Sequence, residues 1–152
     1  MNRQELSHAA RALLERERQG ILSTHSVKVP GYPFGSLMPY ALDAQFRPLF
    51  LISSMAVHTK NLAADPRASL AIVEPAHADP ATAPGRLTLV GDVVQLADAS
   101  AEAIAYLERH PEARQWIGFG DFAFWRLETK SIYFVAGFGA MGWIEAASLR
   151  QA

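Results

Sequence analysis

The 152-residue chain contains no cysteine. Disulfides, thiolate nucleophiles and metal sites built on sulfur are therefore excluded, and the composition fits a cytoplasmic protein. Charge of one sign is lacking too. Fourteen Lys and Arg stand against 15 Asp and Glu, a formal net charge of -1, so the electrostatic footprint of nucleic-acid binding is missing. No apolar run approaches the roughly 20 residues that cross a bilayer, and no membrane partner is expected. The opening "MNRQELSHAARALLERERQG" is charged throughout, so no secretory signal is expected either. There is no G-x-S-x-G elbow and no P-loop. "AGFGAMGW" carries Gly137, Gly139 and Gly142 but does not open a helix, so it is no dinucleotide fingerprint. The five histidines (8, 25, 58, 77 and 110) are scattered, without the spacing of metal ligands. If the chain is an enzyme, the hard chemistry belongs to a cofactor.

What is present is hydrophobic residue: half of the chain, enough for one domain, 1–152, with a real core. Leu6, Ala9, Ala10, Leu13 and Leu14 recur at helical spacing and predict an amphipathic helix over 3–18, stopped near Gly20. Strands are predicted at 21–29, 36–43, 48–54, 67–74 and 86–97. The apolar run at 48–54 suggests burial on both faces, and Gly91 marks a bulge. "PGYPFG" (30–35) and "PAHADPATAPG" (75–85) read as loops. A short helix is predicted at 56–65, ended by Asp65-Pro66. Another runs from 100 to Pro111, with a second helix possible up to 118. The aromatic segment 121–140 reads as two runs joined at "ETKS". Short connections favour antiparallel neighbours. The sum is a mainly β chain, about six strands in a closed or partly closed barrel with peripheral helices.

The junction "SSMAVHTKNL" concentrates hydrogen-bond donors between a strand end and a helix start. Helix starts expose unpaired N–H groups and a positive dipole end, which favour an anion. Ser53, Ser54, His58, Thr59 and Lys60 would add hydroxyls, a ring nitrogen and a point charge. The same pattern is also what an ordinary capped turn shows, with Ser54 capping the helix and Lys60 in water. Arg86 opens a strand, where it suits either a ligand edge or solvent. Phe119, Phe122, Phe124, Trp125, Phe138 and Trp143 crowd the C-terminal region, as core or as walls for a planar cofactor.

"YPFGSLMPYALD", "PLFLISSMAVHTKNLAADPRASLAI", "RLTLVGDV" and "DFAFWRLETKSIYFVAGFGAMGWI" occur in one order. Together they resemble the FMN-binding split-barrel family related to pyridoxamine 5'-phosphate oxidase, in its HugZ-like branch. The resemblance implies a six-stranded antiparallel split barrel with flanking helices. It also implies a homodimer holding FMN at its interface, and a flavin-dependent oxidoreductase acting on a small molecule. By position it places Ser36 and Met38 on the strand flanking the flavin and Ser53 and Ser54 at the next strand end. His58, Thr59 and Lys60 take the phosphate, and Arg86 and Thr88 approach the ring. Trp125, Arg126 and the Gly137–Gly139 turn come from the partner or close the cleft. Ser36 and the His-Thr-Lys run stand in the regions where the oxidases carry a phosphate-binding arginine and an Arg-Lys pair, so vitamin B6 oxidation is not implied. HugZ-like enzymes carry a further C-terminal domain that supports haem, and this sequence ends at Ala152, so flavin chemistry is expected ahead of haem degradation. Two alternatives remain open: haem binding, with His25, His58, His77 or His110 as ligand, and a non-enzymatic binding module.

Overall fold

The structure, a computed structural model, describes residues 1–75, 84–137 and 139–152. Helix α1 (Arg3–Arg16) opens with a reciprocal cap. The Asn2 side chain accepts from the Glu5 N–H, and the Glu5 carboxylate accepts from the Asn2 N–H, which satisfies two otherwise open donors. The helix buries Leu6, Ala10, Leu13 and Leu14, a stripe with helical spacing. It ends before Gly20, which is the second residue of β1 (Gln19–His25) and not a helix stop.

Strand β2 (Pro33–Pro39) begins inside the stretch expected to be a loop, because Pro33, Phe34 and Gly35 pair with His25, Thr24 and Ser23 of β1. Tyr40 then separates β2 from the two-residue β3 (Ala41–Leu42). Strand β4 (Pro48–Ser53), α2 (Val57–Ala64), β5 (Arg67–Val73) and β6 (Arg86–Gln95) follow. Then come α3 (Ser100–Arg109), a 3-10 turn at Pro111–Gln115, β7 (Phe122–Val135), β8 (Met141–Glu145) and α4 (Ala146–Gln151).

Every pairing is antiparallel. The strand order is β2-β1-β5-β6-β7-β4-β3, with β8 pairing β7 off that path. The two ends of the path, β2 and β3, are one run of chain broken only at Tyr40. That run therefore pairs β1 with its first half and β4 with its second, and closes six strands into a ring. The change of partner falls at Pro39-Tyr40, at a proline that cannot donate to a ladder.

The core explains the one-strand apolar runs. Phe50 and Ile52 of β4 point into the barrel with Leu22, Leu70, Leu89 and Ile132. Leu49 and Leu51 point out against Tyr106 of α3 and Ala113. Burial on both faces is thus supplied by the barrel on one side and α3 on the other, each buried Leu or Ile being worth roughly 1.5–3 kcal/mol.

Two expectations for the C-terminal half needed revision. The "ETKS" segment is no connection: β7 runs unbroken through it. Its polar residues lie beside the β6 bulge, where the register shifts between Val90 and Gly91. At Gly91 an added Cβ would lie 2.0 Å from the Glu128 carbonyl oxygen, so the sharp bend there requires glycine. Beyond Pro111 there is only the 3-10 turn. The expected loop at 75–85 lies largely outside the described residues, as do His77 and Phe138.

Candidate functional site

The residues that the resemblance assigned to the cofactor fall into three separate places. The first is the α2 end of the barrel. Strand β4 delivers Ser53, and the chain turns through Ser54, Met55 and Ala56 into α2. Ala56 is the N-cap residue and no side chain caps the helix, so Ser54 is not the cap and the first backbone N–H groups stay open.

The side chains are less available than their spacing suggested. The Ser53 hydroxyl donates to Asp121 Oδ2 at 2.8 Å and accepts from the Met55 N–H at 3.1 Å. The Thr59 hydroxyl, on a residue only 6% exposed, donates to the Ser53 carbonyl at 2.6 Å. Lys60 is exposed and has no partner among the described residues.

His58 is half-buried, and its Nε2 is shut off from solvent with no hydrogen-bond partner. Desolvation holds the imidazole below its ordinary value, so the ring is neutral near pH 7. Behind it, Asn61 is 1% exposed. It donates to the Thr24 hydroxyl at 3.1 Å and accepts from the Val27 N–H at 3.0 Å, which ties α2 to the end of β1. Thr24 pairs Phe34 and Leu22 pairs Ser36, so half-buried Ser36 sits two residues up the same ladder. Met38, one step further, is core.

The second place is the outer face of the sheet at the opposite end. Register puts Leu37, Ile21, Ala71, Thr88, Tyr133 and Trp143 side by side across six strands. Leu37 and Trp143 are each 63% exposed, and Ile21, Val73 and Met141 are also open to solvent. A trough of about 240 Å³ lies between Val73, Arg86, Thr88, Tyr133 and Met141. Arg86 is exposed, and its one side-chain bond among the described residues is a long one to the Pro84 carbonyl, 3.4 Å. The β7–β8 turn borders this face, with Gly137 and Gly139 at φ 119° and 78°, values that side chains resist. The Tyr133 and Trp143 rings lie 5.1 Å apart.

The third place is β7 opposite β4, where Trp125 points into the barrel and Arg126 lies on the face toward α3. Trp125 is in the core. Arg126 lies among Asp43, Glu102 and Glu128, with its closest contact 2.8 Å to Glu128; Arg47 joins the same network.

The first two clusters stand apart on β7. Ser53 pairs with Phe122 and Arg86 with Val135, thirteen residues apart on β7, so Arg86 and the start of α2 lie at opposite ends of that strand, although on β1 and β2 the two groups run close, with Ser36 beside Leu37. Of the candidate haem ligands, His110 is occupied. Its Nε2–H donates to the Tyr40 carbonyl at 2.7 Å, and its Nδ1 lies 3.4 Å from Glu112. His25 is exposed on β1. A larger hollow of about 300 Å³ beside Leu14, Tyr40 and Arg109 offers few free groups. The Tyr40 hydroxyl donates to the Leu14 carbonyl, and Arg109 binds three carbonyls at the end of α1. No group of three or more His, Asp or Glu among the described residues is placed to hold a metal. No helix among them is long and apolar enough to cross a membrane.

What the sequence reading missed here is Asp121 and Asn61. Asn61 was visible as the last residue of the His-Thr-Lys-Asn cluster; Asp121 carried no signal, because its partner Ser53 is 68 residues away.

Comparison with known proteins places the fold. Over 130 residues the chain is 44% identical to the "Non-canonical heme oxygenase HOZ, chloroplastic" of Arabidopsis thaliana, covering 84% of this chain and 39% of that protein. It superposes on the structure of a heme binding protein from Mycobacterium smegmatis with a TM-score of 0.86 and 33% identity, over 97% of this chain and 60% of that one. The chain thus spans about two fifths and three fifths of the lengths of these two relatives. A pyridoxinephosphate oxidase family protein from Clostridium acetobutylicum shares the fold alone, with a TM-score of 0.71 at 14% identity over 93% of this chain and 95% of that one. The model of the family described as "CREG, beta-barrel" matches residues 1–150, so the chain belongs to the CREG β-barrel family.

Proposed function

We propose that the chain is a haem-binding split-barrel protein that works as a homodimer, with the ligand held where two copies meet. The observation that carries this is the apolar outer face with Arg86 at its rim. A haem is a flat apolar macrocycle with two carboxylate arms. The row from Leu37 to Trp143 offers apolar contact, and Arg86 offers a bidentate partner for a carboxylate. The names of the Arabidopsis and Mycobacterium relatives point the same way.

A second copy enters the proposal for two reasons. An exposed apolar face of this width on a small barrel marks an interaction surface. Arg86 and the start of α2, at opposite ends of β7, can also serve one ligand if each subunit contributes one of them. The residues fit the group. His58 would be the residue to hold the iron, because it combines a ring kept below its ordinary pKa by burial with an Nε2 that has no hydrogen-bond partner among the described residues. Bound haem would supply redox chemistry at its iron. The chain's own part is to shelter one face, hold the carboxylate arms and keep His58 uncharged. Titration of haemin into the purified protein is the test, with a saturable Soret band expected and a changed band in His58→Ala. An unaltered haemin spectrum would reject the reading.

A second reading, an FMN-dependent oxidoreductase, is favoured by one specific observation. The start of α2 is uncapped beside unpartnered Lys60, and open N–H groups with a cation suit a phosphate. On that reading Lys60→Ala weakens FMN binding by about 1.5–3 kcal/mol, measured by flavin fluorescence quenching. An unchanged affinity would leave Lys60 as a solvated helix-start charge.

A further inference from the structure

The geometry assigns Asp121 as a specificity-determining residue that turns the start of α2 against a phosphate, so that the cleft rejects a flavin nucleotide. The inference opposes the FMN reading, and it rests on the haem reading only for which ligand is then left to occupy the cleft.

The junction has the parts of an anion cradle, and one carboxylate stands among them. Asp121 reaches it from the turn before β7. Its backbone carbonyl accepts from the Ser54 N–H at 2.7 Å, and its Oδ2 accepts from the Ser53 hydroxyl at 2.8 Å. Those two bonds bring a negative charge to the mouth of α2 and use up the serine that would otherwise donate to a ligand. The second hydroxyl, on Thr59, is turned inward to the Ser53 carbonyl. What remains for an incoming anion is the open N–H groups, Ser54 and Lys60. A phosphate dianion at the N–H groups would share the junction with the Asp121 carboxylate, which Ser53 Oγ links to the Met55 N–H two residues before the helix. Like charges at that range repel even across partly hydrated space. A ligand with no phosphate has no such conflict.

Asp121→Asn isolates the charge. The amide oxygen still accepts from Ser53, so the latch keeps its shape while the charge is gone. The experiment measures FMN and riboflavin affinities side by side, since the two differ only in the phosphate. Wild type is expected to bind FMN no more tightly than riboflavin. In Asp121→Asn the FMN-to-riboflavin preference is expected to rise about tenfold, with riboflavin affinity unchanged. Ser53→Ala, which breaks the latch and keeps the carboxylate, is expected to gain no such preference. The assignment is overturned if wild type already prefers FMN tenfold or more, or if Asp121→Asn shows no gain in FMN preference. It is equally overturned if Ser53→Ala gains as much as Asp121→Asn. Haemin titrated in parallel keeps the two claims apart. A gain in FMN with no haemin binding sinks the haem reading and leaves Asp121 assigned; haemin binding without the FMN gain does the reverse.

Discussion

Asn61→Ala removes the side chain that fastens α2 to the barrel, and the cost can be worked out bond by bond. Two hydrogen bonds are lost, one to the Val27 N–H and one to the Thr24 hydroxyl. The Thr24 hydroxyl still has the Phe34 carbonyl to donate to, at a long 3.4 Å, so it loses an incoming donor and not its only partner. The Val27 N–H belongs to an exposed residue, where water can replace the amide. Each bond is therefore worth about 1 kcal/mol and not the full penalty of an orphaned buried group. The void left by a side chain 1% exposed adds about another 1 kcal/mol. Alanine returns roughly 0.6 kcal/mol through its higher helix propensity. The net loss is about 2–3 kcal/mol, which for a chain of this length lowers Tm by about 4–12 °C. Urea unfolding gives the free energy directly, and an unchanged m-value would show that the native state is otherwise intact. Thr24→Val combined with Asn61→Ala should cost at least 0.5 kcal/mol less than the sum of the two, because the pair shares one bond. A loss below about 1 kcal/mol, or strict additivity, would refute the claim that this buried amide holds α2 in place.

Two further outcomes follow from the same geometry. His58 gives up its proton more readily when folded than when unfolded, so the unfolded state binds more protons once pH falls below about 6.5. Stability is full above that value and declines as pH drops through it, by at most ~1.4 kcal/mol per pH unit for one group. A thermal-unfolding series from pH 8 to 5 should show the decline flattened in His58→Gln, and an identical decline in both would remove His58 as its source. Ile21→Asp places a charge in the outer row between Leu37 and Ala71; sedimentation should show dimers becoming monomers with the fold retained, whereas an unaltered dimer would place the interface elsewhere.

Much of the architecture could be read from sequence because its signals are local. The apolar stripe at Leu6, Ala10, Leu13 and Leu14 predicted α1, and the apolar run from Leu49 to Ile52 predicted a strand covered on both sides. Gly91 marked the bulge because only a residue without a Cβ can approach the Glu128 carbonyl. The errors arose where local chemistry conflicts with pairing. "ETKS" has the composition of a turn, yet ladder bonds to β6 and β8 carry β7 through it. Pro33 and Gly35 look like loop residues, yet β1 pairs with them as a strand. The site was harder still. Spacing could place Ser53, His58, Thr59 and Lys60 together, and the structure does so. Spacing could not reveal that Asp121 takes the Ser53 hydroxyl or that Thr59 turns inward, because both facts depend on the tertiary fold. Arg126, which the resemblance placed at the cleft or as a contribution from the partner, is held within this chain by carboxylates from three separate segments.

Haemin titration of the purified chain, followed at the Soret band, tests the central proposal most directly. Haem binding at a face built by two copies predicts a saturable band shift that is weakened by Arg86→Ala and by Ile21→Asp. A folded protein that leaves the haemin spectrum unchanged would contradict it.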